Sequence, residues 1–459
     1  MAQFDTIVIG SGPGGYVTAV RSAQLGFKTL VVEKDTVGGR CLNYACIPAK
    51  AVLRSADVLH EIERADEFGL KVQGVSVDFA AVQERRRQVI SQLTGGVAGL
   101  LKKNGVEYVE GVGSLVGDGG VQVAGETHTA KNIVLAAGSV RRAIPGVEYG
   151  GRVIGTEEAW ALDELPGSIA VVGAGASGTE IASAYARLGA KVQLFEFLDR
   201  VLPSEDVDIS RVANRDFKKQ GIDVHLSTRV ADVQTTDERV SFTFQKGDGE
   251  KVDGQADWLV IATGRAPDVE GLGLDKAGVK TDEKTGLIEV DGRQRTSVKG
   301  IWAIGDLVPG PALAHKSSDE GVIAVEDAKG LDTHPISYVD IPRATFCQPN
   351  VGSFGLTEAQ AKEQGYDVVV GKVPYGAVGG ATVYGEAGTI KIIGEKKYGE
   401  LLGGHIVGAK ATEMIQELVN AKALEGGYAE VARTIHGHPT LSEGVMEAAR
   451  AADGWLIHG

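Results

Sequence analysis

Two cysteines five positions apart, Cys41 and Cys46, are the side chains of this sequence best suited to redox chemistry. A disulfide between them would close a very short loop, so it would add little stability. In a regular helix, positions five apart are separated by roughly 8–9 Å, whereas a disulfide needs Cα atoms within about 7 Å. We therefore expect a distorted segment here and a labile bridge, one that is made and broken.

The sequence contains the same phosphate-binding pattern twice, once just before this cysteine pair and once much further along the chain. In each copy a predicted strand leads into G-x-G-x-x-G, a helix, a second strand and an acid 23 residues after the first glycine. The residues are Gly10, Gly12, Pro13, Gly14, Gly15 and Glu33 in the first copy, and Gly173, Gly175, Ser177, Gly178 and Glu196 in the second. The glycines permit a tight turn and close approach to a pyrophosphate, and the acid accepts hydrogen bonds from a ribose. Two copies predict two bound dinucleotides.

The acid of the second copy favours NAD over NADP, because the carboxylate of Glu196 would repel a 2′-phosphate. Arg200 follows the same strand, and we interpret it as a solvated surface arginine, not a phosphate ligand. The sequence therefore predicts NAD at the second site.

Length and charge limit the remaining possibilities. A chain of 459 residues is too long for one ordinary core, and we expect three or four domains. The net charge of −14 argues against nucleic-acid and anionic-membrane binding, and it would suit a basic protein partner. No metal centre is predicted. The sequence has no secretory leader pattern and no membrane-length apolar run, so a cytoplasmic location is expected, where a disulfide is usually catalytic or redox-sensing.

On these motifs, the sequence resembles the class I pyridine nucleotide-disulfide oxidoreductases, and most nearly the branch that acts on lipoamide. The motifs appear in that family's order, namely 10–15 with Glu33, Cys41 with Cys46, 133–138, 173–178 with Glu196, 261–265, 301–306 and 436–443. The resemblance implies an α/β fold with two Rossmann-like dinucleotide-binding domains and a C-terminal α+β dimerisation domain. The corresponding boundaries are 1–147 for FAD and the disulfide, 148–270 for NAD, 271–338 for a central domain completing the FAD site, and 339–459 for the interface.

The resemblance also implies roles for single residues. Cys46 would be the thiol nearest the flavin and Cys41 the thiol that exchanges with substrate, while His438 would move the proton and Glu443 would orient its ring. Lys50 would pair with Glu180 beside the flavin. The residues implied for FAD are Gly10, Gly12, Pro13, Gly14, Gly15, Glu33, Lys34, Gly39, Arg40, Lys50, Ala137, Gly138, Ser139, Gly305, Asp306, Ala314 and His315. Those implied for NAD are Gly173, Gly175, Ser177, Gly178, Glu180, Glu196, Gly264 and Arg265.

The implied activity is oxidation of protein-bound dihydrolipoamide through the disulfide and FAD to NAD+, in a homodimer where His438 reaches the other subunit's disulfide. The sequence begins at its first predicted strand, so we expect the lipoyl group on a partner. This partner would be the acyltransferase core of a 2-oxoacid dehydrogenase or a glycine-cleavage carrier. Two alternatives remain open at this point: an NAD(P)H-dependent reductase of another disulfide, and a flavoprotein scaffold subunit.

The cysteine segment departs from the usual family pattern at Arg40, Tyr44, Ala45 and Ala49. Arg40 matters most, because a positive charge next to Cys41 should favour its thiolate. Arg40 and Tyr44 also bear on which disulfide is the substrate. Outside the segment, we expect His436 to be structural or exposed and Cys347 to be a buried small residue in a strand.

Overall fold

The computed structural model describes residues 3–459, and these residues form two compact units. The first unit comprises the residues up to Ala51, Ala81–Arg142 and Gly264–Tyr338. The second comprises Val52–Ala80, Ala143–Thr263 and Val339–Gly459. The α/β fold class is confirmed, while the four domain boundaries stay a prediction.

Both units contain strands and helices. In chain order, the strands are β1 (Phe4–Ile9), β2 (Thr29–Glu33), β3 (Glu107–Glu110), β4 (Ser114–Gly117), β5 (Gly120–Val123), β6 (Glu126–Leu135), β7 (Ser139–Arg141), β8 (Val153–Gly155), β9 (Ser168–Val172), β10 (Lys191–Phe195), β11 (Asp223–His225), β12 (Thr228–Thr235), β13 (Val240–Lys246), β14 (Lys251–Ala256), β15 (Trp258–Ile261), β16 (Arg265–Pro267), β17 (Ile301–Ala303), β18 (Arg343–Thr345), β19 (Val351–Gly355), β20 (Val368–Pro374), β21 (Thr389–Glu395) and β22 (Leu401–Val407). The helices are α1 (Pro13–Gln24), α2 (Gly39–Asn43), α3 (Cys46–Glu63), α4 (Phe79–Lys103), α5 (Thr156–Ala159), α6 (Ala176–Leu188), α7 (Val207–Lys219), α8 (Leu274–Ala277), α9 (Ala314–Lys329), α10 (Glu358–Glu363), α11 (Gly379–Tyr384), α12 (Ala411–Ala423), α13 (Tyr428–Arg433) and α14 (Glu443–Ala452).

The sheet of the first unit has the order β3-β2-β1-β6-β5-β4, and β17 also pairs with β6. Its central strands β2, β1 and β6 are parallel, and their apolar residues are buried on both faces, as expected for a sheet covered by helices. The chain leaves β1 toward β2 on one side and returns to β6 on the other. This change of direction leaves a crevice at the carboxyl end of β1, where α/β proteins bind ligands.

The second unit repeats this arrangement in a parallel sheet of order β11-β10-β9-β15-β8. Here β9 takes the place of β1, with β10 on one side and β15 on the other. A second crevice therefore lies at the carboxyl end of β9.

The same unit contains an antiparallel sheet of order β18-β19-β22-β21-β20. Helices α12 and α14 contribute buried side chains to the core of this sheet, among them Ile415, Leu418 and Val445. Helix α14 matters for function because it begins at Glu443. Within residues 3–459, no helix is long and apolar enough to cross a membrane.

Candidate active site and dinucleotide sites

The two phosphate loops have almost the same geometry. The first glycine of each has a positive φ, +104° at Gly10 and +103° at Gly173. A Cβ atom there would lie 2.3 Å from the Ala136 carbonyl oxygen in the first copy, and 2.7 Å from that of Ala262 in the second. Only glycine satisfies both the backbone angle and the space.

The other glycines divide into a packing position and an open one. A Cβ at Gly15 would lie 1.9 Å from the Gly10 oxygen, and one at Gly178 would lie 1.8 Å from the Gly173 oxygen, so both are needed for close packing. Gly12 and Gly175 have no atom within 4 Å of a Cβ position. This space lies just before the first turns of α1 and α6, whose backbone N–H groups suit a pyrophosphate. Both loops therefore fit a dinucleotide.

The two predicted acids also have matching contacts. Both are buried, and one oxygen of Glu33 accepts the Ser11 N–H at 2.7 Å while the corresponding oxygen of Glu196 accepts the Ala174 N–H at 2.7 Å. The other oxygens accept the N–H groups two residues further on, at 3.0 Å and 2.9 Å. Oε1 of each acid accepts only that one bond and keeps a lone pair that can accept from a ribose hydroxyl.

The guanidinium of Arg200 bonds to neighbouring residues of its own loop. Its guanidinium donates to the Pro203 carbonyl oxygen at 3.2 Å and lies 3.3 Å from the Asp199 carboxylate. With its side chain 40% exposed, Arg200 is the surface arginine that the sequence predicts, and its bonds are to its own loop. The consequence for specificity is unchanged, because Glu196 is the acid at the loop.

The cysteine segment is distorted in the way the spacing predicts. Helix α2 ends at Asn43, α3 begins at Cys46, and the Ala45 N–H donates to the Arg40 carbonyl oxygen at 3.0 Å across five residues. The second helix therefore begins at Cys46 itself. This break allows two residues five apart to face each other.

Cys41 and Cys46 are present as thiols, and their side chains share a hydrogen bond. This hydrogen bond and burial raise the pKa of the Cys41 thiol, whereas the positive charges of Lys50 and then Arg40 act to lower it. Both cysteines are half-buried. The two sulfur atoms therefore face each other, as an exchange between dithiol and disulfide requires.

The first phosphate loop holds this segment directly. The Gly38 N–H donates to Ser11 Oγ at 3.2 Å, and Ser11 Oγ donates to Glu33 at 2.7 Å. A Cβ at Gly39 would lie 2.7 Å from the Cα of Gly12. The redox pair is therefore built against the loop that fits a dinucleotide, which places thiol chemistry beside that cofactor.

Asp306, predicted to bind FAD, belongs to a polar group in the first unit. Its carboxylate accepts from Ser139 Oγ at 2.5 Å, and Ser139 Oγ in turn accepts from Nε of Arg265 at 2.8 Å. Ser139 follows Ala137 and Gly138 at the end of β6. Gly264 and Arg265 thus lie in the first unit, and the NAD role implied for them stays a prediction.

Sequence reasoning missed a buried ion pair beneath Gly305. Lys316 Nζ donates to the Gly305 carbonyl oxygen at 2.8 Å, and Glu320 accepts the Gly305 N–H at 2.7 Å. The two side chains are fully buried and 3.2 Å apart, and Glu320 also accepts from Tyr338 at 2.6 Å. Burial raises the pKa of Glu320, against the nearby charge of Lys316. This pair fixes both polar backbone groups of the residue before Asp306.

Other residues predicted to bind FAD also lie in the first unit. Ala314 and His315 open α9, which packs on α1 so tightly that a Cβ at Gly14 would lie 3.1 Å from the Ser317 oxygen. Pro13 opens α1, and Lys34 forms an ion pair with Asp268 at 2.5 Å.

The two residues predicted to flank the flavin lie in different units. Lys50 is half-buried on α3, in the first unit. Glu180 is buried on α6, in the second, and accepts the Phe346 N–H at 2.9 Å. Their pairing stays a prediction. On the same helix, Ser177 is exposed in the first turn.

The C-terminal histidine and acid are brought together by the start of α14. Nδ1 of His438 lies 2.9 Å from Glu443, whose second oxygen accepts the Thr440 N–H at 2.8 Å. The Thr440 N–H and the His438 contact lower the pKa of Glu443, so it stays ionised. The His438 side chain is 76% exposed, which leaves its other nitrogen accessible. This is the geometry of an oriented general base.

His436 and Cys347 are the two other residues whose surroundings the sequence predicts. The side chain of His436 is buried, with Nε2 2.5 Å from Glu417. Cys347 is also buried, and burial raises the pKa of its thiol to about 12. It lies in a bend just after β18, not within a strand as expected.

Taken together, a dithiol pair against one dinucleotide loop, a second dinucleotide loop and an oriented base define a flavin- and nicotinamide-dependent disulfide oxidoreductase. Comparison with known proteins agrees. Residues 4–321 match the pyridine nucleotide-disulphide oxidoreductase family, and residues 341–449 match its dimerisation domain.

Curated relatives place the chain within that family. It is 42% identical to a dihydrolipoyl dehydrogenase of Bacillus subtilis, over 99% of this chain and 98% of the relative, and 43% identical to one of Chlorobaculum tepidum, over 98% and 97%. The solved structure of LpdA from Mycobacterium tuberculosis superposes with a TM-score of 0.89 at 28% identity, covering 97% of this chain and 99% of LpdA. The flavoprotein disulfide reductase RclA from Escherichia coli superposes with a TM-score of 0.86 at 26% identity, covering 98% and 99%.

The chain belongs to the pyridine nucleotide-disulphide oxidoreductases and, within that family, to the dihydrolipoyl dehydrogenases. It is an enzyme that uses FAD and NAD. A scaffold role and the reduction of a different disulfide are not favoured.

Proposed function

We propose that this chain oxidises dihydrolipoamide with NAD+ through the Cys41–Cys46 pair. The observation that supports it most is the redox segment held against the first phosphate loop by Gly38, Gly39 and Ser11. In the oxidised enzyme these two thiols form a disulfide, which is the group that a substrate dithiol can reduce.

The residues act in the following order. His438, held at Nδ1 by Glu443, accepts a proton from a substrate thiol, and the resulting thiolate attacks Cys41. A mixed disulfide forms between the substrate sulfur and Cys41, and the Cys46 thiolate leaves. His438 gives the first proton to the Cys46 thiolate and accepts the proton of the second substrate thiol. The second substrate sulfur then displaces Cys41, which takes that proton, so that the substrate becomes a disulfide and the enzyme pair becomes a dithiol.

FAD, when bound, would pass the two electrons of that dithiol to NAD+, with one proton released to solvent for each NADH formed. Gly10, Gly12, Gly15 and Glu33 would hold the FAD at the first loop. The second loop and Glu196 would hold the NAD+. The pair Lys316–Glu320 would set the backbone at Gly305, and so the carboxylate of Asp306, toward the flavin side chain.

We also propose partners and location. The enzyme acts as a homodimer on lipoyl groups of a partner, either the acyltransferase core of a 2-oxoacid dehydrogenase or a glycine-cleavage carrier. The net charge of −14 supports docking on a basic domain, which should weaken as salt rises. A cytoplasmic location is supported by the catalytic use of the only closely spaced cysteine pair.

The direct test is a substrate comparison. We expect NAD+ reduction by dihydrolipoamide and little oxidation of NADPH by glutathione disulfide. Cys41→Ser should abolish the dihydrolipoamide reaction, and His438→Gln should lower its rate by about 10²-fold or more, because proton transfer is lost. His334→Gln, at an exposed histidine of the first unit, is the control and should leave the rate unchanged. Activity with NADPH alone would reject both the substrate and the role of Glu196.

A further inference from the structure

A row of polar side chains crosses the whole antiparallel sheet of the second unit. Directly opposed residues on neighbouring strands lie on the same face of a sheet. The register makes one such row of five, which are Arg343, Ser353, His405, Lys391 and Lys372. Of its three interior members, Ser353 and His405 are fully buried and Lys391 is 1% exposed. A buried lysine on a central strand needs partners that compensate for its lost hydration.

Three carboxylates surround that lysine. Lys391 Nζ lies 2.9 Å from Asp206, 3.0 Å from Asp208 and 2.8 Å from Glu358, so each of its three N–H donors has an acceptor. Burial would lower the pKa of Lys391, but the hydrogen bonds that Lys391 donates to these acids outweigh the effect of burial and raise the pKa. Lys391 is therefore a charged, fully bonded cross-link between β21 and the start of α7.

The start of α7 is bonded in turn to the second phosphate loop. Asp206 is the N-cap of α7, and the preceding Glu205 N–H donates to the Leu202 carbonyl oxygen at 2.9 Å. The Leu202 N–H donates to the Ala174 carbonyl oxygen at 2.8 Å, and the Ala174 N–H donates to Glu196 at 2.7 Å. Ala174 lies between Gly173 and Gly175 in the phosphate loop.

Along this series of hydrogen bonds, the least favourable backbone conformation is that of Leu202. Its φ is +47°, in the left-handed region that non-glycine residues rarely adopt. Such a conformation persists only where the surroundings determine it strongly. Lys391 restrains the backbone at Leu202 from outside the segment, because its ion pair fixes Asp206 four residues further on.

We infer that Lys391 is a positioning residue for the NAD site, holding the turn from Leu202 to Asp206 and thereby the phosphate-loop backbone at Ala174. The inference rests on the NAD site proposed above. It differs from a purely stabilising role of the ion cluster, because a stabilising cluster would affect the unfolding temperature and leave NAD+ affinity unchanged.

The test compares Lys391→Met with Lys372→Met in the holoenzyme. Lys372 lies in the same row, but its side chain is 47% exposed and pairs with Asp208 at 3.1 Å, so it is a matched control for the loss of one positive charge. For Lys391→Met we expect the KM and the dissociation constant for NAD+ to rise by about 10-fold, since small misplacements of a binding loop have effects of this size. Oxidation of dihydrolipoamide with ferricyanide as acceptor, which does not use the NAD site, should keep its rate in both variants.

Equal NAD+ affinity in Lys391→Met and wild type would overturn the inference, whatever happens to the unfolding temperature. An equal loss in Lys372→Met would also overturn it. If Lys391→Met does not fold, Asp206→Ser replaces it, because serine keeps the N-cap of α7 and removes the contact with Lys391. The same criteria then apply. Failure of the ferricyanide reaction in the wild type would instead count against the proposed function.

Discussion

At the scale of single residues, the reactivity of Cys41 depends on a balance of neighbours. Its hydrogen bond with Cys46 and its burial raise its pKa, while Lys50 and Arg40 oppose them. A thiolate is the attacking species in exchange, so the charges on these two side chains affect the rate directly. Arg40 is thus a departure from the family pattern that acts in the favourable direction, with Lys50 as the larger effect.

We predict that Arg40→Thr raises the pKa of the Cys41 thiol and that Lys50→Met raises it further. The rate of alkylation at neutral pH should fall by roughly two- to threefold in Arg40→Thr, and the pH profile should move to higher pH, because less thiolate is present at any given pH. Alkylation of the reduced holoenzyme, followed by mass spectrometry of the Cys41 peptide, measures this. Lys28→Gln, which removes a charge that does not act on the Cys41 thiol, is the control, and coincident profiles for all variants would contradict the prediction.

At the scale of elements, the glycines of the two βαβ units are of two kinds. One kind leaves space for a ligand, and the other is needed for close packing of the loop. Gly12 and Gly175 have negative φ, −61° and −73°, and open space at the Cβ position, so alanine is compatible with the folded loop. Gly15 and Gly178 have a carbonyl oxygen less than 2 Å from that position, so alanine there requires the loop to move. Alanine should therefore affect cofactor binding at Gly12 and Gly175, and the stability of the fold at Gly15 and Gly178.

We predict that Gly12→Ala folds but binds FAD about 10- to 100-fold more weakly, and that Gly175→Ala weakens NAD+ binding by a similar factor, because the new methyl group overlaps the pyrophosphate. Flavin release on dilution and the KM for NAD+ measure the two effects. Gly178→Ala, in contrast, should lower the unfolding temperature. A loss of NAD+ affinity in Gly12→Ala equal to that in Gly175→Ala would show that the two loops are not independent.

The elements also show what the sequence could reveal. The glycines, Glu33, Glu196, Cys41 and Cys46 could be found from local spacing, and the break between α2 and α3 followed from helix geometry. The pair Lys316–Glu320 could not, because an i, i+4 lysine and glutamate looks like an ordinary surface pair until burial is known. The row through Lys391 could not be found either, since it depends on the register of five strands.

At the scale of the whole molecule, the exposed surface near His438 supports a catalytic dimer. Ile435, three residues before it, is 96% exposed in the single chain, and His438 itself is 76% exposed although Glu443 fixes its ring. Burial of this isoleucine against a second subunit would remove its apolar area from water. The dimerisation domain matched over 341–449 contains both residues.

We predict that each site combines the Cys41–Cys46 pair of one subunit with His438 of the other, and mixed dimers test this. Neither Cys41→Ser nor His438→Gln homodimers should be active. In a mixed dimer, however, one site receives both intact groups and the other receives both substitutions. Equal mixing gives about half mixed dimers, each with one of two sites intact, so about a quarter of wild-type activity should return.

The opposite arrangement gives a distinct result. If both groups came from the same subunit, every subunit of a mixed dimer would carry one substitution, and no activity would return. Separately tagged subunits, exchanged and then purified through both tags, remove the homodimers and raise the expected value to about half. Glu443→Gln in place of His438→Gln should complement Cys41→Ser in the same way, because Glu443 acts through His438 and must come from the same chain.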